Sequence, residues 1–111
     1  VPHGAICALL LPAVMEVNIR DVSEQKLDNY YSKFTEVAKI LTRNSNARAE
    51  DGIHWAAEMV KYLRIPSLSD YGVTKADFPL AVEKAKRASS MKGNPVVLSD
   101  NELKEILERS Y

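Results

Sequence analysis

The chain has little of what several common classes of site require. Its 111 residues include one cysteine, Cys7, so neither an internal disulfide nor a CxxC zinc motif can form. The four glycines lie far apart, at Gly4, Gly52, Gly72 and Gly93, and none belongs to a GxGxxG loop or a P-loop. These residues therefore hold no glycine-rich loop for a nucleotide phosphate.

An excess of charge of either sign is also lacking, because 15 Lys and Arg residues balance 15 Asp and Glu residues. A nucleic-acid-binding protein normally shows a basic patch, so we do not expect that class of partner. The apolar run of residues 5–15 is shorter than the about 20 residues that cross a bilayer, and it lacks the basic flank of a signal peptide. We therefore expect a cytoplasmic protein with no membrane partner, and a Cys7 that is buried as a small hydrophobe.

Hydrophobic periodicity predicts an all-α fold of about five helices in one domain, residues 1–111. The first helix is expected from His3 to about Val17, with a kink at Pro12. Asp21 and Glu24 have capping-box spacing and predict the start of the second helix. The third helix should stop near Arg64, before Pro66. Similar caps at Thr74–Asp77 and Ser99–Glu102 predict the last two helices.

Two histidines are candidates for metal binding. At a helix N-terminus the dipole disfavours positive charge, so His3 should stay neutral, as ligation requires; a histidine merely exposed at a helix start is the alternative. Glu50, His54 and Glu58 lie four residues apart on one helix face and could in principle hold a metal ion. The simpler interpretation of that face is solvated charge with weak ion pairs.

The order of motifs resembles the C-terminal part of the iron-containing alcohol dehydrogenases. Pro2-His3-Gly4 and residues 10–18 (LLPAVMEVN) resemble that family's PHG…LLPxVMxxN segment. Residues 63–66 (LRIP) with Gly72-Val73 resemble its LGIP…GV connector, with Arg64 where the family usually has Gly. Residues 90–95 (SMKGNP) are similar to its near-terminal Asn-Pro turn. The resemblance covers essentially the whole chain.

This resemblance implies the helical C-terminal domain of a two-domain, NAD(P)-linked alcohol or aldehyde oxidoreductase. In that family one Asp and three His hold Fe²⁺ or a similar ion such as Zn²⁺, and His3 corresponds to the last of these ligands. Ser90, just before the Asn-Pro turn, is expected near the small alcohol or aldehyde substrate. The other ligands and the nucleotide-binding domain would precede this chain, so these residues supply no catalytic group and no cofactor contact of their own.

Two functions are therefore open. The first is a dehydrogenase of which this chain is a part, which alone is inactive and binds neither metal nor NAD(P) tightly; a homo-oligomer is possible. A histidine between Pro and Gly at a helix start, with nothing before it to explain the constraint, favours such a continuation of something larger. The second is a stand-alone helical interaction module without catalysis.

Overall fold

Five α-helices make up most of the molecule, and the computed structural model describes residues 3–111 except for the side chains of residues 89 and 90. The helices are α1 His3–Glu24, α2 Asp28–Thr42, α3 Ala49–Tyr62, α4 Phe78–Arg87 and α5 Asp100–Arg109. Two short 3-10 helices, Lys75–Asp77 and Ser89–Gly93, lie on either side of α4. No strand occurs among residues 3–111, so the predicted all-α fold with five helices is confirmed.

Helix α1 is longer than predicted, because it continues past Val17 to Glu24. Pro12 lies inside it and does not break the helix. The predicted cap, Asp21, lies inside α1 and is buried. The physical reason is that Val17, Ile19 and Val22 continue the apolar face of α1, so packing extends the helix through the predicted boundary. Although α1 has 22 residues, none of the described helices is long and apolar enough to cross a membrane.

The end of α1 is set by backbone geometry at Lys26, whose φ is 56°. The Lys26 N–H donates to the carbonyl of Ser23 at 3.2 Å, and the Leu27 N–H donates to that of Val22 at 2.8 Å. This pair of bonds around a left-handed residue is the Schellman motif that commonly ends a helix. Helix α2 therefore begins at Asp28, seven residues after the predicted Asp21.

Helices α1, α2 and α3 pack closely around Gly52. A Cβ added at Gly52 would lie 3.3 Å from Cβ of Ala38 in α2 and 3.3 Å from Cε of Met15 in α1. Ala38 is fully buried, and Gly52 is also buried. Glycine at this position therefore lets the α2–α3 hairpin approach α1.

The remaining helices close the main core against α1. Val17 and Val22 of α1 share one buried cluster with Val82 of α4 and Leu103 and Ile106 of α5. The predicted caps are present: the N–H of Thr74 donates to Oδ2 of Asp77 at 2.8 Å, and that of Ser99 donates to Oε1 of Glu102 at 2.9 Å. Residues 3–8 at the start of α1 are not among its buried residues, which begin at Leu9.

Candidate functional site

His3, the predicted metal ligand, is the first residue of α1, and its side chain is exposed. Its Nε2 lies 3.5 Å from Sγ of Cys7, one helical turn further on. Among the described residues, no group of three or more His, Cys, Asp or Glu side chains is arranged to hold a metal ion. His3 can therefore offer an accessible imidazole to a metal, as one ligand among several that come from elsewhere.

Cys7 is exposed, so the prediction that it is a buried hydrophobe is wrong. The reason is that the first turns of α1 contribute no buried residue, since the buried residues of this helix begin only at Leu9. The apolar composition of residues 5–15 gave no indication of which face of the helix is covered. The four-residue spacing of His3 and Cys7, which places them on one face, is the signal that could have found the pair.

Ser90, the predicted substrate-cleft residue, belongs to the 3-10 helix Ser89–Gly93. Its side chain lies outside the described part of the structure. The backbone of this turn is closed by the Met91 N–H, which donates to the carbonyl of Ala88 at 3.1 Å, and by the Asn94 N–H, which donates to that of Met91 at 3.1 Å. The prediction for Ser90 stays a prediction.

The Asn-Pro turn is attached to α1 by a pair of side-chain amides. Nδ2 of Asn94 donates to Oδ1 of Asn18 at 2.7 Å and to the carbonyl of Val96 at 2.6 Å. Nδ2 of Asn18 in turn donates to the carbonyl of Val14 at 2.8 Å, and Asn18 is buried. Residues 10–18 and residues 90–95, which carry two of the family-like motifs, are thus joined by a direct hydrogen bond. Their spacing in the sequence could not indicate this contact.

Charged side chains connect α1 to α5. The guanidinium of Arg20 donates to both carboxylate oxygens of Glu105, at 3.1 and 2.9 Å. Arg109 donates to Glu105 at 2.9 Å and also contacts Glu16. These interactions lower the pKa of Glu105, the Arg20 hydrogen bond most strongly, and raise that of Arg20. Because the side chains are partly exposed, each pair contributes about 1 kcal/mol or less.

Asp21 of α1 and Glu102 of α5 form a carboxyl pair, in which Asp21 is buried. Burial first, and then a hydrogen bond with Glu102, raises the pKa of Asp21 to about 6. The pKa of Glu102 is lowered: burial opposes the change, but hydrogen bonds from Asp21 and Ser99 and the charge of Arg20 outweigh it. Below about pH 6 the proton of the pair therefore lies on Asp21, which can donate to an ionised Glu102. The pair joins α1 to α5.

An open groove of about 630 Å³ lies between α1, α3 and the end of the chain. Its floor is mainly apolar, with Leu9 and Pro12 on one side and Ile53 and Val60 on the other. Glu16, Lys61 and Arg109 stand at its edge, and Arg109 is already bonded to Glu16 and Glu105. The groove offers an apolar surface but no convergent set of catalytic groups.

The second histidine candidate lies on α3, where its two acidic neighbours make other contacts. His54 is exposed, and Oε1 of Glu50 accepts a hydrogen bond from the hydroxyl of Tyr31 at 3.1 Å. Glu58 faces Lys61 at 4.0 Å. The described residues hold no three-ligand group here. The simpler interpretation, a solvated face with weak ion pairs, agrees with this arrangement.

Comparison with known proteins identifies the class to which this helical domain belongs. The model of the C-terminal region of the Fe-containing alcohol dehydrogenase family matches residues 1–111, which is the whole chain. The chain therefore belongs to the iron-containing alcohol dehydrogenase family, as its motifs suggested, and represents the family's C-terminal region.

Individual relatives are dehydrogenases. The chain is 31% identical to a 1,3-propanediol dehydrogenase of Citrobacter freundii, 32% identical to an alcohol dehydrogenase of Thermococcus barophilus and 30% identical to an NADPH-dependent butanol dehydrogenase of Clostridium saccharobutylicum. Each match covers 99% or more of the chain but only 28–29% of the relative. No solved structure matches significantly. The chain thus corresponds to less than a third of the length of these relatives.

Proposed function

We propose that this chain is the helical C-terminal part of a metal-dependent, NAD(P)-linked alcohol or aldehyde oxidoreductase. The observation that carries the proposal is the family match over residues 1–111, together with an exposed imidazole at the residue that corresponds to the family's last metal ligand. The relatives are named for alcohol and diol oxidation, and one is named for NADPH. In this chain those activities are part of the proposal.

His3 supplies one ligand of the metal site in this proposal. The imidazole fits that role because it is exposed at the start of α1. When bound, Fe²⁺ or Zn²⁺ would act as a Lewis acid toward the substrate oxygen. One donor binds such ions weakly, so we expect the remaining ligands to come from residues outside this chain.

The proposal has two further partners, NAD(P) and a small alcohol or aldehyde. NAD(P) would be bound by a nucleotide-binding domain outside residues 1–111, because this sequence has no glycine-rich phosphate loop. The small alcohol or aldehyde would lie where that domain meets this one, near Ser90. A cytoplasmic location and a homo-oligomer remain part of the same proposal. The stand-alone interaction module is the alternative, and the open apolar groove between α1 and α3 is the observation that favours it.

The coding sequence upstream of Val1 distinguishes the two proposals. The dehydrogenase predicts a glycine-rich strand-turn-helix followed by an Asp and His cluster in the same reading frame. A start codon directly before Val1 would support the interaction module instead.

The dehydrogenase proposal also predicts that the chain of residues 1–111 has no activity by itself. Reduction of NAD⁺ and NADP⁺ would be followed with a panel of small alcohols, in the presence of Fe²⁺ or Zn²⁺. We expect no turnover above a blank, because the sequence lacks a phosphate-binding loop and offers too few ligands. Turnover by the purified chain would contradict this division of labour between the chain and the rest of the enzyme.

A further inference from the structure

The open groove of about 630 Å³ has apolar side chains from two neighbouring helices along its walls. Ile53, Ala57 and Val60 follow one another along α3 at steps of four and three residues, so they share one face of that helix. Leu9 and Pro12, three residues apart in α1, line the other wall. Apolar rows on two adjacent helices form the kind of surface into which a further helix packs its own apolar face.

Charged side chains at the edge of the groove already have partners within the chain. Arg109 contacts both Glu16 and Glu105, and Lys61 lies 4.0 Å from Glu58. A charged occupant would have to compete with these ion pairs, whereas an apolar occupant would not. The groove therefore fits the aliphatic face of a helix that brings no charge to this place.

Two other kinds of occupant fit less well. A small molecule is held in a pocket by a few well-placed polar groups, and here Arg109 and Glu16 are engaged with each other. A second copy in a twofold dimer would place the same surface on both sides of the interface. Two concave grooves facing each other would leave the space between them unfilled.

A segment of the same polypeptide meets neither difficulty. The chain corresponds to only 28–29% of the length of its relatives, and the matching model is that of the family's C-terminal region. Most of a protein of this kind would therefore precede α1, which forms one wall of the groove. Tethering gives such a segment an effective concentration in the millimolar range, so a groove of this size is enough to hold it.

We propose that the groove between α1 and α3 is the docking surface for a helical segment encoded upstream of Val1, whose aliphatic side chains cover Ile53, Ala57 and Val60. The proposal rests on the proposed function for the existence of that segment. It gives α3 a role in holding the rest of the enzyme against α1, the helix that begins at His3. In a stand-alone interaction module a separate protein would occupy the groove instead.

The experiment is photo-crosslinking in the protein that includes the residues encoded upstream of Val1. A lysine analogue that carries a diazirine is placed at position 61, because Lys61 lies at the edge of the groove with its side chain 79% exposed. We expect crosslinks to a peptide upstream of Val1 in the same molecule, identified by mass spectrometry. Lys104 is the matched control position, since it is also exposed and also pairs with a glutamate of its own helix, but lies outside the groove. From position 104 the yield of the same crosslink should be at least about tenfold lower, because the probe reacts only with groups in contact.

A pair of substitutions tests whether the floor of the groove is covered. Ala57→Glu places a carboxylate under the docked segment and should lower the yield of the crosslink from position 61 at least about fivefold, since burying an unpaired charge is unfavourable. Ala81→Glu makes the same change at a half-buried alanine of α4 that does not line the groove. It should leave the yield unchanged.

Other crosslinking patterns would overturn the proposal. A covalent dimer formed from position 61 would assign the groove to a second copy, and crosslinks confined to residues 1–111 would show that the groove stays open. Either result would leave the dehydrogenase proposal unaffected. A crosslink to the upstream segment in a protein that binds no metal and reduces no NAD(P)⁺ would instead overturn only the proposed function.

Discussion

Three residues other than glycine adopt left-handed backbone in the described part of the chain: Lys26, Arg43 and Arg64. Each follows the end of a helix, namely α1, α2 and α3. At Arg64, φ is 54°; its N–H donates to the carbonyl of Lys61 at 3.0 Å, and that of Ile65 donates to Val60 at 3.1 Å. This is again a Schellman motif, in which glycine is the favoured residue. The structure thus explains physically why arginine is unusual in this connector.

Arg64→Gly should stabilise the chain. The left-handed conformation costs a residue with a Cβ about 1–2 kcal/mol, while glycine's extra freedom in the unfolded chain offsets about 0.5–1 kcal/mol. We expect a net gain of about 0.5–1 kcal/mol in the free energy of unfolding, measured by urea denaturation. Lys84→Gly, an exposed position inside α4, is the control and should lose about 1 kcal/mol. A loss at both positions would contradict the role given to Arg64.

At the scale of elements, α1 organises the molecule because α2, α3, α5 and the Asn-Pro turn all contact it. The α2–α3 hairpin packs on it through Gly52, α5 joins it through Arg20 and Glu105, and the Asn-Pro turn joins it through Asn18. Its first turn carries His3. Since His3 and Asn18 belong to the same helix, α1 fixes the position of His3 relative to the Asn-Pro turn.

Asn18→Ala should loosen the Asn-Pro turn. The change removes the acceptor of Asn94 and leaves a buried gap, which should lower the free energy of unfolding by about 1–3 kcal/mol. Hydrogen exchange of the Asn94 N–H, which donates within the turn, should also become faster. Asn29→Ala, at an exposed position, should stay within about 0.5 kcal/mol. Equal effects of the two substitutions would show that the amide pair does not hold the turn.

The contact of α1 with α5 should depend on pH through Asp21. Its pKa is raised from 3.8 to about 6, so between these values the folded chain holds a proton that the unfolded chain has released. The free energy of unfolding therefore falls as pH rises through this window.

Asp21→Asn should remove that dependence, since the amide donates to Glu102 at every pH. We expect the variant to match the wild type near pH 4 and to be more stable by about 1–2 kcal/mol near pH 7. Denaturation at a series of pH values measures the difference. The pKa values of Glu102 and Glu105 are lowered, so the free energy of unfolding decreases at acid pH in both proteins alike. A difference that is the same at pH 4 and pH 7 would contradict the raised pKa of Asp21.

At the scale of the whole molecule, helix number and class could be predicted because apolar spacing and caps act locally. The capping pairs at Thr74 and Ser99 formed as the sequence indicated. The boundary between α1 and α2 could not be predicted, because it depends on packing at Val22 and on left-handed backbone at Lys26. A non-glycine residue gives no sign of that backbone in a single sequence.

The site was less accessible to sequence analysis than the fold. The motif singled out His3, but the exposure of Cys7 depends on which side of α1 the other helices cover. Among the apolar residues near the start of α1, Leu9 is buried, Leu10 and Val14 pack partly buried on the main core, and Leu11 is exposed.

The central claim, that His3 is a metal ligand of a dehydrogenase, is tested most directly by metal content. The protein would be purified with the residues that its gene encodes upstream of Val1, as wild type, His3→Ala and the control His54→Ala. We predict bound iron or zinc in the wild type and in the control, and a loss of at least about tenfold in metal affinity in His3→Ala. Metal retained in full by His3→Ala, or a reading frame that begins directly before Val1, would contradict the account.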